Sequence, residues 1–359
     1  MKTLNSFCGM CGAMGDFSIH KYCIRCGNRH DKSTEIKPYR HRDLTRSPAN
    51  TFLDNANLGI NRWWVWTLGT LLILIIWNLL GFIPTWITCN SLNFFTIESF
   101  YCDSYIIMGI SHIPNFVAAN STFLIGLVGI YYVIKFIHKK AFKHLITFRK
   151  EIDYKRTMYS ASLMGAILSI LLILSLSSEN PDLKFQSPKL AEYILFSLMV
   201  FALTPIQVLM EEVFFRGYVI HGIHLIIKNK SVNIIISSAL FTVLHLANPE
   251  PYEYGFMPYI SAIFIMAIFL SLVTILDGGI EIAAGLHFMN NMWIFLIANT
   301  ETSVLNSPSL FIIPIQKYAL MPDIPVQVII DFVLLVLLNK KYKWFSWRKM
   351  SLPFSLKNN

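Results

Sequence analysis

The chain has 359 residues, 54% of them hydrophobic and only 14% charged, with a mean hydropathy of +0.51. A soluble protein of this length carries about 25% charged residues, so a soluble globular enzyme is excluded. The net charge of +9 would suit nucleic acid, but its placement along the chain argues for membrane topology, and no nucleic-acid partner is expected.

Residues 1–30 carry Cys8-x2-Cys11 and Cys23-x2-Cys26. Two such pairs in a reducing compartment suit four thiolates around a tetrahedral zinc better than disulfides. Gly9, Gly12 and Gly27 supply the tight turns that such knuckles need. So short a segment cannot build a sufficient core, and metal would contribute most of its folding free energy. The segment resembles a zinc ribbon. His20 and His30 are surplus to four ligands and read as solvated. Residues 31–61 are polar, with charges of both signs, and read as a flexible linker.

Eight apolar spans follow, each near the length of about 20 residues that a crossing helix needs: 63–83, 115–137, 158–177, 191–211, 232–247, 258–276, 280–298 and 324–339. The expected class is an all-α polytopic membrane protein with a small N-terminal zinc ribbon. Its N-terminal helices lie in 62–157, a membrane core in 158–300, and the last span with a basic tail in 301–359. Of the 30 Lys and Arg, only Lys184, Lys189 and Lys317 fall on one side of this arrangement. The positive-inside rule then places both termini in the cytoplasm. Trp63, Trp64, Trp66, Trp344 and Trp347 suit interfacial anchors. The polar first 60 residues do not read as a cleavable signal peptide.

The outer loop 84–114 has no Lys or Arg and holds Cys89 and Cys102, which outside the cytoplasm form a disulfide or stay as two thiols. The inner loop 138–156 is basic and is expected to set topology or touch anionic headgroups.

Span four ends in Glu211-Glu212-Val213-Phe214-Phe215-Arg216. Charges leaving water lose hydration that they recover only by pairing. Glu212 and Arg216 stand at i and i+4 with the acid N-terminal, the order that lets them face each other on a helix. Glu211 points about 100° away and has no local partner, so one carboxylate is bound and one is spare. Span five adds Phe241-x3-His245, and span seven adds His287 and Asn291 on one helical face. Each alone reads as a satisfied buried donor or as helix–helix glue; intramembrane histidines together carry a functional reading.

The order EExxxR, FxxxH, HxxxN on successive spans resembles the CPBP family of CAAX proteases and bacteriocin-processing enzymes, also called Abi proteins. The likeness covers roughly 160–300. It implies an intramembrane endopeptidase in which Glu211 is the base for water and Glu212 and Arg216 hold its helix. By the same resemblance His245, beside Phe241, helps bind the water or a metal, and His287 with Asn291 stabilises the oxyanion. A carboxylate drawn out of water becomes a better base, and two aimed donors suit an oxyanion. A catalytic metal on Glu211, His245 and His287 stays open, with HExxH absent; a metal-independent mechanism is favoured. The implied partners are the lipid bilayer and a peptide or membrane-protein substrate. An Ile-, Asn- and Lys-rich composition with a fused ribbon reads as bacterial, so a leader peptide, a bacteriocin or a membrane-protein terminus is expected rather than a prenylated protein. The alternative is a non-catalytic scaffold or bacteriocin-immunity protein that docks a partner through the ribbon. A transporter is poorly supported, because no duplicated half with broken helices is visible.

Some residues are expected to lie outside this constellation. His221 and His224 read as interfacial, Asp331 as a non-catalytic polar group, and Asp277-Gly278-Gly279 as a tight turn. One conflict stands. Counting from Lys228 and Lys230 puts Glu211 near the inner face but His245 about 20 Å deeper, so the spans must tilt for the groups to meet.

Overall fold

A computed structural model describes the backbone of residues 6–7, 14–15, 51–95, 101–102, 107–108, 112–177, 183–248, 250–301, 303, 305–314 and 323–345. The chain divides into two units, Met1–Arg46 and Ser47–Asn359. In the first, strands β1 (Ser6–Phe7) and β2 (Met14–Gly15) pair antiparallel, with Phe7 opposite Met14. Cys8, Cys11, Cys23 and Cys26 lie outside the described residues.

The second unit is mostly helical. Among the described residues, six helical runs are long and apolar enough to cross a membrane: Trp63–Phe94, His112–Ile137, Tyr154–Leu176, Leu190–Ile226, Lys230–Ala247 and Phe256–Asp277. Their outward sides expose Leu68, Leu71, Ile75, Ile173, Leu198 and Phe201, surface that water would penalise and lipid does not. This is a polytopic helical membrane protein. Two further helices, Glu281–Leu296 and Asp323–Tyr342, occupy the other two expected positions. The first has 16 residues, and the second carries Asp331, Lys340 and Lys341, so neither meets the same standard.

The first run joins α1 (Trp63–Ile75) to α2 (Phe82–Phe95) through a π-helical stretch, Ile76–Leu80. Helix therefore continues into the segment expected as outer loop. Pro84 lies in the first turn of α2, where a missing N–H costs no intrahelical bond. Cys89 is buried and disulfide-bonded. Beyond it β3 (Tyr101–Cys102) pairs antiparallel with β4 (Ile107–Met108).

Next come α3 (His112–Tyr132), α4 (Tyr154–Leu176), α5 (Leu190–Glu212), α6 (Ile220–Ile226), α7 (Lys230–Leu244), α8 (Glu250–Tyr254), α9 (Phe256–Asp277), α10 (Glu281–Leu296) and α11 (Asp323–Tyr342). Asp153 caps α4 by accepting from the Lys155 amide, and Asn229 caps α7 by accepting from Ser231 and Val232. Such caps satisfy donors that a helix start leaves open. Helix α10 packs on α4, α5 and α9, and α7 packs on α9. A small sheet joins β5 (Lys184–Phe185), β7 (Phe311–Ile313) and β6 (Ala298–Thr300) in that order, β5 antiparallel and β6 parallel to β7.

The stretch 31–61, read as a linker, includes a 3₁₀ turn, Phe52–Asn57, with Phe52, Leu53, Asn55 and Ala56 buried. The basic inner loop also folds inward. Arg149 bonds Asp277 and Glu281, while Arg156 pairs with Asp277 and Asp153. Trp344 Nε1 adds a bond to Asp277 at 3.0 Å. These arginines supply counter-charge to two nearly unexposed carboxylates at the α9–α10 turn. Gly278 closes that turn with φ +78°, a left-handed conformation that a side chain resists.

Candidate active site

The central element is the unbroken run Leu190–Ile226. Between α5 and α6 it passes through a π-helical segment, Val213–Val219, and π segments recur at functional sites. Every residue from Met210 to His221 is buried, so this stretch is enclosed around its whole circumference. A Cβ on Gly217 would fall 2.5 Å from the Leu145 carbonyl oxygen; glycine here lets the inner loop approach the helix backbone.

Continuation of this helix removes the depth conflict. From Glu211 to Ile226 is 226 − 211 = 15 residues, and from Lys230 to His245 is 245 − 230 = 15 residues. Both climb about 22 Å from the shared turn at 1.5 Å per residue. An antiparallel hairpin therefore returns His245 to the level of Glu211. The expected inner boundary at 211 lay too early, because Arg216 is a buried ion-pair member rather than a membrane-edge cation.

Glu212 Oε1 accepts from Arg216 Nη1 at 3.0 Å and from His287 Nδ1 at 2.7 Å. Glu212 and Arg216 are fully buried, and His287 is 4% exposed. Since the carboxylate can only accept, Nδ1 carries the proton, and the other ring nitrogen points onward. That nitrogen, Nε2, lies 3.6 Å from Glu211 Oε2. Glu211 is thus the end of the chain Arg216–Glu212–His287–Glu211. The i, i+4 pair expected from sequence is present, and the carboxylate without a local partner meets one from α10.

Phe241 forms the wall between these groups. Its ring centroid lies 4.4 Å from Arg216 Cζ, 4.4 Å from the His245 ring and 6.3 Å from the His287 ring. His245 Nδ1 donates to the Phe241 carbonyl at 2.9 Å, leaving Nε2 as an acceptor. Glu211, His287 and Arg216 all lie within electrostatic reach of His245. Asn291 stands one turn after His287 on α10, half-buried, and its amide oxygen accepts from Asn290 at 3.4 Å. No hydrogen bond joins it to Glu211 among the described residues.

Sequence reasoning missed Ser237. Its hydroxyl donates to the Phe215 carbonyl at 2.9 Å and ties α7 to the π segment. The signal was its spacing, four residues before Phe241 and eight before His245, one stripe of α7. His221 is corrected from interfacial to buried: its Nε2 donates to the Phe52 carbonyl at 3.0 Å and its ring lies against Phe52. The 3₁₀ turn supplies the cover that the sequence did not reveal. His224 hydrogen-bonds Asn233. Among the described residues, no three His, Cys, Asp or Glu side chains are arranged to hold a metal ion.

Comparison with known proteins follows this geometry. Residues 192–293 match the family described as Rce1-like, type II CAAX prenyl endopeptidase Rce1-like. The matched segment contains all of the chain Arg216–Glu212–His287–Glu211, together with His245 and Asn291. A Bacillus subtilis (strain 168) protein, "Uncharacterized protein YyaK", is 27% identical over 193 residues, 53% of this chain and 63% of that relative. The alignment thus covers just under two thirds of that relative. No solved structure matches. These likenesses support the CPBP family and, through it, a peptidase.

Proposed function

We propose that this protein is an intramembrane endopeptidase that cuts a membrane-associated peptide or protein with water activated by Glu211. The supporting observation is the division of labour between adjacent carboxylates. Glu212 is held through Oε1 by both Arg216 and His287, whereas Glu211 ends the chain facing an imidazole nitrogen.

Charge counting adds to this. Two carboxylates and one guanidinium leave the buried group one negative charge when the imidazole is neutral. One further proton, on His287 Nε2 or on Glu211, brings it to zero. Carried on His287 Nε2, that proton leaves Glu211 as the free carboxylate: Glu211 takes a second proton from water as the oxygen attacks the carbonyl carbon, the oxyanion balancing it, then passes it to the leaving amine nitrogen as the C–N bond breaks. Glu212 holds His287 by Nδ1, so a doubly protonated ring directs Nε2–H at the oxyanion. Asn291, its oxygen engaged by Asn290, offers Nδ2–H as the second donor. His245 Nε2 accepts from the attacking water. No step is routed through a metal.

The remaining features complete the reading. α10 and α11 are the seventh and eighth spans, both termini are cytoplasmic, and Cys8, Cys11, Cys23 and Cys26 hold a structural zinc. The substrate is a bacterial leader peptide, bacteriocin or membrane-protein terminus.

The test is Glu211→Gln, nearly isosteric and removing no ion pair shorter than 3.6 Å. The variant should fold and insert normally while uncut substrate accumulates in its membrane proteome. If the two proteomes are identical and the phenotype is intact, the scaffold reading replaces this one.

A further inference from the structure

We propose that Lys140 and the imidazoles of His138, His144 and His221 form a proton-operated latch. It fastens the 3₁₀ turn 52–57 and the inner loop 138–147 to the helix carrying the candidate site, and taking up a proton loosens it.

The geometry is a buried amine among buried imidazoles. Lys140 is 5% exposed; its Nζ lies 4.4 Å from the Trp66 ring centroid and 3.5 Å from the Asn55 carbonyl oxygen. It forms no ion pair among the described residues. Buried cations are ordinarily paired, so one held only by an aromatic face and a long carbonyl contact is poised to lose its proton. Three elements meet here. Asn55 Nδ2 donates to the carbonyls of His144 and Thr147 at 3.0 and 3.1 Å. His221 donates to Phe52, and Tyr218 of the π segment bonds His138 Nε2 at 2.9 Å.

Buried surroundings without a carboxylate among the described residues leave the rings neutral. His138 faces the Ile60 carbonyl with Nδ1 at 2.9 Å, so Nδ1 donates and Nε2 accepts from Tyr218. His221 donates through Nε2, which leaves a lone pair on Nδ1, an atom without a partner among the described residues. Neither ring nitrogen of His144 has one. A second proton on His144 or His221 would find no acceptor, and one on His138 would turn the Tyr218 hydroxyl to the Trp66 carbonyl at 3.3 Å.

The other charged groups nearby do not relieve this. Lys143 reaches away to the Lys150 carbonyl at 2.7 Å. The Asp54 carboxylate caps Thr51 and acts on His224 instead; Lys228 and Lys230 face His224 too. Burial lowers Lys140 to about 7, and lowers His138 and His144 to about 4 with Lys140 adding to both. The first proton therefore goes to Lys140.

An amine near 7 when closed and at its ordinary 10.5 when open gives the direction. The latch is at full strength above the open value, weakens as pH falls from about 10.5 to 7, and levels off below. One proton changes the closed-to-open ratio by up to about tenfold per pH unit in that window, and by about 50-fold between pH 9 and pH 7, where the closed amine is half protonated.

The experiment is hydrogen exchange on the full-length protein in detergent micelles, corrected for intrinsic exchange, following peptides 51–60, 138–147 and 213–219. Protection in wild type should rise about 50-fold from pH 7 to pH 9. Lys140→Met should be strongly protected and flat, and Lys140→Arg, charged throughout, weakly protected and flat. A wild-type change below threefold overturns the proposal, as does a variant that keeps the wild-type slope; if one variant fails to fold, the other decides. Protection is read without substrate, so failure here leaves the reading of Glu211 untouched.

Discussion

Glu212→Gln isolates the node on which the candidate site turns. The substitution keeps the shape of the side chain and removes the charge between Arg216 Nη1 at 3.0 Å and His287 Nδ1 at 2.7 Å. At 3.0 Å and an effective dielectric near 20, the Arg216–Glu212 attraction is about 5 kcal/mol. Breaking a buried pair from one side costs about 3–5 kcal/mol because the other charge is left uncompensated. Two features moderate the loss. Arg216 lies 4.4 Å above Phe241, a contact worth about 0.5–2 kcal/mol that survives the substitution. The charge of Glu211 also acts on Arg216. The expected destabilisation is therefore about 3 kcal/mol, at the lower end. Reversible unfolding in mixed micelles, followed by far-UV circular dichroism, measures it. Glu212→Gln with Arg216→Gln should then lose at least about 2 kcal/mol less than the sum of the single variants, since contacting charges are not additive. A single-variant loss below about 1 kcal/mol, or strict additivity, would refute the claim that this pair is a desolvated, mutually dependent unit.

The remaining expectations test the surroundings. Gly217→Ala drives a methyl to 2.5 Å from the Leu145 carbonyl and should cost about 1–3 kcal/mol, measured by the same unfolding. Ser237→Ala removes the bond to the Phe215 carbonyl and should cost about 1 kcal/mol; a larger loss would show that the π segment depends on it. His138 and His144, held near 4 by burial, are neutral in the fold and titrate near 6.5 when unfolded. Their contribution is complete above about 6.5 and lost as pH falls through 4, so melting temperature should drop across that window, less steeply in His144→Leu. Chelation should release the proposed ribbon metal, unfolding residues 1–30 by circular dichroism while proteolysis persists; loss of proteolysis would place a metal in the reaction.

How far the site was legible follows from what each signal encodes. The Glu212–Arg216 pair is local spacing, and it survives even a π-helical turn between its members. The grouping of Phe241, His245 and His287 came from family motifs, not from periodicity. Depth was illegible, because a span ending at 211 treats the charges of Glu211, Glu212 and Arg216 as the membrane edge. An internal partner makes that cation compatible with burial, and the helix runs on to Ile226. The inner loop shows the same limit. Its arginines face Asp277 and Glu281, acids that lie more than a hundred residues later in the chain. Spacing rules cannot see such pairs. Cover of His221 by Phe52 was hidden too, since a short turn among polar residues carries no period.

A helix enclosed on every side faces a problem that apolar packing does not solve. Leucines and phenylalanines around Met210–His221 would tolerate a slide of one turn, because dispersion is nearly indifferent to which methyl meets which. Polar contacts are not indifferent. His287 from α10 grips Glu212, Ser237 from α7 grips the Phe215 carbonyl, and Tyr218 is held by His138 from the inner loop. A displacement of one turn would leave each of these groups unpaired in a dry interior, at about 1–3 kcal/mol apiece. Register is thus set by three elements independently, within a few residues on either side of Arg216. The Glu211 carboxylate, which makes no hydrogen bond of this kind among the described residues, is the group that this framework leaves available for chemistry.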